Sequence, residues 1–216
     1  MRKAQVTWFV ILGVILLVAL ALFMFWPRST AAIKSPMDDV QSALDDCLSK
    51  VLEESVDKVA YSGGYPQGIA YFVNGTFLDV PSRDVVERSV AGLVESAIPG
   101  CKPLLSQGLS LDRKGSPKAQ VLLQNESVSA TLDYLSSISN ADMSRLFDKA
   151  KAALPKRLDE ELTASLFIAN EYQKTRKVDL TDLIYRNLTS TVTQSDSFIE
   201  VTLTDASDTR FRFRLS

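Results

Sequence analysis

The sequence predicts an α+β protein in which an N-terminal transmembrane helix carries one extracytoplasmic domain of helices packed on antiparallel strands. Three observations lead there. Val6 to Trp26 is a run of 21 residues without a charge. Behind it, helix-spaced and strand-alternating apolar patterns come in separate blocks, which suits antiparallel strands with segregated helices rather than alternating βαβ units. The remainder carries two cysteines and three Asn-x-Ser/Thr sequons, chemistry that belongs outside the cytosol.

The apolar run comes first. At ~1.5 Å per residue it makes a helix about 31 Å long, matching a hydrocarbon core of ~30 Å. Trp8 and Trp26 lie near its ends, where indole rings favour the headgroup region, and Pro27 stops it. Ser29-Thr30-Ala31 before Ala32 has the spacing of a signal-peptidase site. The run is nevertheless longer than the ~7–15 apolar residues of a cleaved signal, so retention as a signal anchor is expected. Arg2, Lys3 and the terminal amine outweigh Arg28 and Lys34, which directs the N-terminus to the cytoplasm. The chain then divides into a cytoplasmic N-terminus (1–5), a transmembrane helix (6–26), a linker (27–35) and an extracytoplasmic domain (36–216).

In that domain Ser35-Pro36 predicts a helix start, with Asp38 and Asp39 near its positive dipole end. Val40, Leu44, Leu48, Val51 and Val59 follow at helical spacing until Ser62-Gly63-Gly64 ends the helix. Ile69–Val73 and Thr76–Val80 around Asn74-Gly75 predict a hairpin with a type I′ turn. Pro81-Ser82 opens a second helix that closes at Pro99-Gly100. Leu109–Asp112, Ala119–Leu123 and Val128–Tyr134 read as strands. Residues 141–174 return to helical spacing and are expected to form two helices broken at Pro155. A short helix near Asp179–Asn187 and two strands, Phe198–Leu203 and Thr209–Leu215, complete the chain. In the last of these, Phe211, Phe213 and Leu215 alternate with Arg210, Arg212 and Arg214, giving one buried and one solvated face.

Composition narrows the chemistry. The 216 residues hold 24 basic and 26 acidic side chains and no histidine, which removes Ser-His-Asp and Cys-His catalysis and histidine-ligated metals. Two cysteines fall short of an all-thiolate zinc site. No cofactor is expected. All 26 acidic residues lie beyond the anchor, where 20 basic residues leave a net charge of −6, so nucleic acid is not an expected partner. Cys47 on the first domain helix and Cys101 just after the second are expected to form a disulfide. Asn74, Asn125 and Asn187 head the sequons, each at a predicted turn or helix end where glycosylation is possible in an exported chain. The loop Ser62–Gly68 lacks a phosphate-binding pattern and reads as a helix stop and bend. Lys156-Arg157-Leu158-Asp159-Glu160-Glu161 reads as a solvated helix face.

Arg2-Lys3-Ala4-Gln5 before the apolar helix resembles the class III signal of archaeal prepilins, which implies cleavage between Ala4 and Gln5 with the helix left attached. That family places a glutamate at the fifth mature position to pair with a neighbour's amine. Phe9 stands there instead, so this carboxylate is missing from the assembly chemistry. Lys3-Ala4-Gln5-Val6-Thr7-Trp8-Phe9, then Cys47, Gly63-Gly64-Tyr65 and Cys101, resemble uncharacterised single-span membrane proteins of small-genome archaea. The likeness covers roughly the first hundred residues, departs at Ala4 and Pro66, and implies location and architecture without an activity.

The expectation is a membrane-anchored, surface-exposed, non-enzymatic domain with a structural or interaction role at the cell envelope. Its implied partners are the lipid bilayer and either an envelope protein or a second copy. Two alternatives stand beside it. One is a pilin-like filament subunit processed before Gln5, against which Pro27 and Pro36 interrupt a continuous helical spine. The other is a membrane-tethered envelope hydrolase, which without histidine needs two facing carboxylates or a Ser-Lys pair.

Overall fold

Helix α1 (Pro36–Tyr61) is the element around which the domain is arranged. The computed structural model describes residues 36–102, 110–139 and 144–216. The expected transmembrane helix, the linker and the Ala4-Gln5 cleavage site lie outside the described residues. Among the described residues no helix is long and apolar enough to cross a membrane. Pro36–Ser216 is one compact unit.

After α1 come β1 (Ala70–Asn74), β2 (Phe77–Leu78) and α2 (Arg83–Ala97), which runs into a 3₁₀ turn at Ile98–Gly100. Four strands follow: β3 (Ser110–Arg113), β4 (Lys118–Gln124), β5 (Ser127–Ser139) and β6 (Ser144–Leu154). Then come α3 (Leu158–Thr175), α4 (Thr181–Arg186), β7 (Thr189–Gln194), β8 (Ile199–Thr204) and β9 (Arg210–Leu215). The fold is α+β. One sheet has the order β2-β1-β9-β8-β7; in the other, β5 pairs with β3 and β4 as well as with β6.

The first helix ends as its glycines require. Gly64 N–H donates to Val59 O at 2.9 Å and Gly63 N–H to Ala60 O at 3.0 Å, the paired bonds of a Schellman cap. Both glycines have positive φ, 68° and 90°. A Cβ on Gly63 would meet Arg212 O at 2.8 Å and one on Gly64 would meet Pro81 Cγ at 2.7 Å, so neither site has room for a side chain. The cap packs α1 directly against the first sheet.

Several expectations need correction. Residues 144–154 are a strand, not a helix, and β6 pairs with β5 along most of its length. Its buried residues Phe147, Ala150 and Leu154 fall at intervals of three and four, which imitates a helix. The cause is a register shift between Asp133 and Ser136 of β5, a bulge that breaks strict alternation on the neighbouring strand. The hairpin turn sits one residue later than expected. Asn74 pairs with Phe77, so Gly75-Thr76 is the loop, and only Gly75 has positive φ, as a II′ turn demands. The strands are not all antiparallel, because β1 and β9 pair in parallel. Thr189–Gln194 forms a strand that the apolar pattern does not announce.

The parallel pairing builds the centre of the core. A register shift between Tyr71 and Val73 turns both Phe72 and Val73 inward, each fully buried. Phe72 stacks on Phe213 with centroids 4.7 Å apart and meets Phe211 edge-on at 6.0 Å. Helices α1 and α3 cover this face. Truncating any of these rings to alanine removes about 3–5 kcal/mol by the usual cost of emptying an aromatic site.

The helices also blunt the second sheet's edges. Glu87 and Glu95 of α2 accept from the N–H groups of Leu123 (2.9 Å) and Ala119 (2.8 Å) on β4. On β6, Asp45 accepts from Lys151 N–H at 2.9 Å and Gln41 donates to Lys149 O at 3.1 Å. Backbone groups that would otherwise recruit another strand are thereby occupied.

Candidate interaction surface

Two groups of polar side chains stand out, one enclosed and one at the surface, where Arg212, Arg214 and Glu200 are half-buried beside the exposed Tyr61 and Tyr71. The enclosed group surrounds Glu161, in the first turn of α3. Glu161 has 0% exposure, and neither carboxyl oxygen has a hydrogen-bond partner. Burial, reinforced by the nearby charge of Asp205, pushes its pKa from 4.5 up to about 9, so it is protonated at neutral pH. Asp205 is buried but well served. It accepts from the N–H groups of Ser207, Thr209 and Arg157 at 2.9, 2.9 and 3.2 Å, and from the Ser207 hydroxyl. Lys156, also buried, reaches out from the turn before α3 to Asp57 of α1 at 2.5 Å and Glu53 at 3.8 Å.

The expectation of a solvated face over Lys156–Glu161 is therefore corrected at both ends of the run. Between them, Asp159 and Glu160 are half-buried and paired with arginines, Asp159 with Arg83 and Glu160 with Arg157. The 156 and 161 side chains are instead covered by α1 and by the β8–β9 turn. Because Glu161 is closed off from solvent, it has no access to a substrate in this conformation.

The second group lies on the outer face of the first sheet. Alternation along β9 puts Phe211, Phe213 and Leu215 in the core and the three arginines outside. Arg212 lies 3.5 Å over the Tyr61 ring and meets Glu200 at 3.4 Å. Arg214 donates to the other oxygen of Glu200 at 2.9 Å and to the Tyr71 hydroxyl at 3.2 Å, with Phe198 4.2 Å beneath its guanidinium. Tyr71 and Phe198 meet edge-on at 6.3 Å. The hydrogen bonds to Tyr71 and then to Glu200 hold Arg214 charged beyond the ordinary arginine range. One carboxylate thus organises two guanidiniums between three aromatic rings, each contact adding cation–π attraction to the ion pair.

Strand register extends this face. Arg212 lies opposite Thr202, and Arg210 opposite Thr204; these in turn lie opposite Thr191 and Thr189. Rows of hydroxyls, guanidiniums and rings therefore lie side by side on one solvent-facing sheet surface. Such a surface offers donors and flat apolar rings in fixed positions, the kind of groups that recognise a polar partner.

Cys47 and Cys101 are joined in a disulfide with Cα atoms 6.2 Å apart, compatible with an oxidising compartment. An open groove of about 670 Å³ lies beside it, bordered by Asp46, Lys50, Glu54 and Lys102. The three sequon asparagines are exposed: Asn74 ends β1, Asn125 sits in the β4–β5 turn, and Asn187 ends α4 with φ 53°. These sites are separate and form no common centre. Among the described residues no group of three or more cysteine, aspartate or glutamate side chains is placed to hold a metal ion. No protein-family model, curated protein or solved structure matches the chain.

Sequence reasoning found the arginine row through its alternation. It missed Tyr61, Tyr71, Phe198 and Glu200 as its companions, since three elements bring them together: Tyr71 through the β1–β9 pairing, Glu200 and Phe198 through the β8–β9 pairing, and Tyr61 from the end of α1. It also missed the burial of Glu161, for which the run itself carries no signal.

Proposed function

We propose that the chain is a membrane-anchored, surface-displayed interaction module of the cell envelope without enzymatic chemistry of its own. The observation that carries this reading is the ordered outer face of the first sheet. There Arg212, Arg214 and Glu200 are held between Tyr61, Tyr71 and Phe198 beside a field of threonines. Fixing long side chains before a partner arrives lowers the entropy cost of binding. The uncharged run Val6–Trp26 supports the anchor, and the Cys47–Cys101 bridge and three exposed sequons agree with display outside the cytosol.

The test has two parts. Full-length protein in native cells is expected to stay with carbonate-washed membranes and to be cut by protease added outside. A photo-crosslinking residue at Thr202 is expected to yield adducts in intact cells that one at Leu122, on the other sheet, does not. Recovery as freely soluble material with reduced thiols overturns the anchored reading. Equal labelling from the two positions overturns the assignment of the face.

A further inference from the structure

We infer that β7 is a docking edge at which a second copy of this chain pairs, in antiparallel fashion, about a two-fold axis through Val192. The inference rests on the interaction reading and narrows it to one partner. The sheet edges differ in how they are covered. The outer strands of the second sheet are blunted by Glu87, Glu95, Asp45 and Gln41. In the first sheet, α3 reaches the β1–β2 hairpin, where Gln173 donates to Thr76 O at 2.7 Å and Arg176 to Gly75 O at 2.6 Å. Among the described residues β7 pairs only with β8, and its opposite edge is bare.

The register says which backbone groups face outward. Ser195 N–H donates to Phe198 O at 2.9 Å, just beyond the Gln194–Ile199 pair. Antiparallel pairs alternate between bonded and non-bonded, so Thr193, Thr191 and Thr189 exchange bonds with β8. Ser190, Val192 and Gln194 therefore aim their N–H and C=O groups away from the sheet.

This outward set is self-complementary. With Val192 opposite Val192 of a second copy, Ser190 meets Gln194, Gln194 meets Ser190, and every outward group is paired. Thr191 then faces Thr193, a favourable cross-strand match. Thr189–Gln194 contains no charge and no proline, so the two-fold axis brings no like charges together, and none of the usual edge protections is present. A second, independent observation lies next to it. Ile184 and Tyr185 of α4, which leads into β7, are 80% and 90% exposed, and Val192 is 41% exposed. Large apolar side chains left this bare beside an open strand edge mark a contact surface.

The experiment uses the full-length protein in mild detergent. Both native cysteines are in the disulfide, so Val192→Cys introduces a lone thiol. It is expected to form a disulfide-linked dimer at least about tenfold faster than Leu122→Cys, because a symmetric ladder holds the facing Cα atoms about 5.5 Å apart. Light scattering is expected to give a dimer for the native sequence and a monomer for Val192→Lys. Amide exchange on the native sequence supplies a readout independent of any variant: Ser190, Val192 and Gln194 are expected to be protected, with protection lost on dilution. Equal crosslinking of the two cysteine variants overturns the proposal, as does a monomeric native chain. So does protection that ignores concentration, which would give the edge to another segment. A monomer that still labels from Thr202 in cells fails this inference alone. A dimer that is not retained in membranes fails only the anchored reading.

Discussion

Because neither oxygen of Glu161 has a hydrogen-bond partner, the carboxyl is tolerated in the core in its protonated form. Its folded pKa of about 9 lies above the ordinary 4.5. A raised folded value means that the stability it contributes is complete below pH 4.5 and is lost as pH rises through 9. The unfolding free energy read from denaturant titrations is therefore expected to fall between pH 5 and pH 9, by on the order of a few kcal/mol. Glu161→Gln, which mimics the protonated acid, is expected to flatten that slope and to raise stability at neutral pH. An unchanged slope would show that the carboxyl finds a partner in solution. At this scale the sequence is least informative. Charges spaced over Lys156–Glu161 suit a solvated helix, and what buries the two ends is α1 and a turn some forty residues downstream, neither of which leaves a local mark.

Elements were legible where their signals are local. The glycine cap that ends α1, the start of α2 after Ser82, the presence of the first hairpin (though not its turn) and the alternating β9 follow from residue chemistry. The strand β6 did not, because a bulge in its neighbour set its burial pattern, and β7 did not, because a polar edge strand lacks an apolar stripe. The helix carboxylates that cover sheet edges are also invisible in sequence, yet they are testable. Removing both by Glu87→Ala and Glu95→Ala leaves two β4 N–H groups without their acceptors. Each loss is expected to cost about 1–3 kcal/mol in chemical denaturation. It should also speed amide exchange at Ala119 and Leu123, whereas Glu126→Ala, in an exposed turn, should do neither.

For the whole domain the disulfide and the sheet order matter most. The bridge spans 54 residues and ties α1 to the turn after α2, with the glycine cap and the hairpin inside the loop. Replacing both cysteines by alanine is expected to cost about 2–4 kcal/mol, read as a lower thermal midpoint, and treatment with a reductant should reproduce that shift. The α+β class and the cysteine pair were readable from the chain. The parallel join of β1 to β9 was not, since nothing in either strand names its partner. That join bears on how the protein is made. Since β9 lies between β1 and β8, the first hairpin waits beside a vacant slot while the ribosome works through everything in between. Only when Leu215 has emerged can the sheet zip shut. Any nascent chain paused earlier shows a half-built hydrophobic slab to chaperones and to proteases.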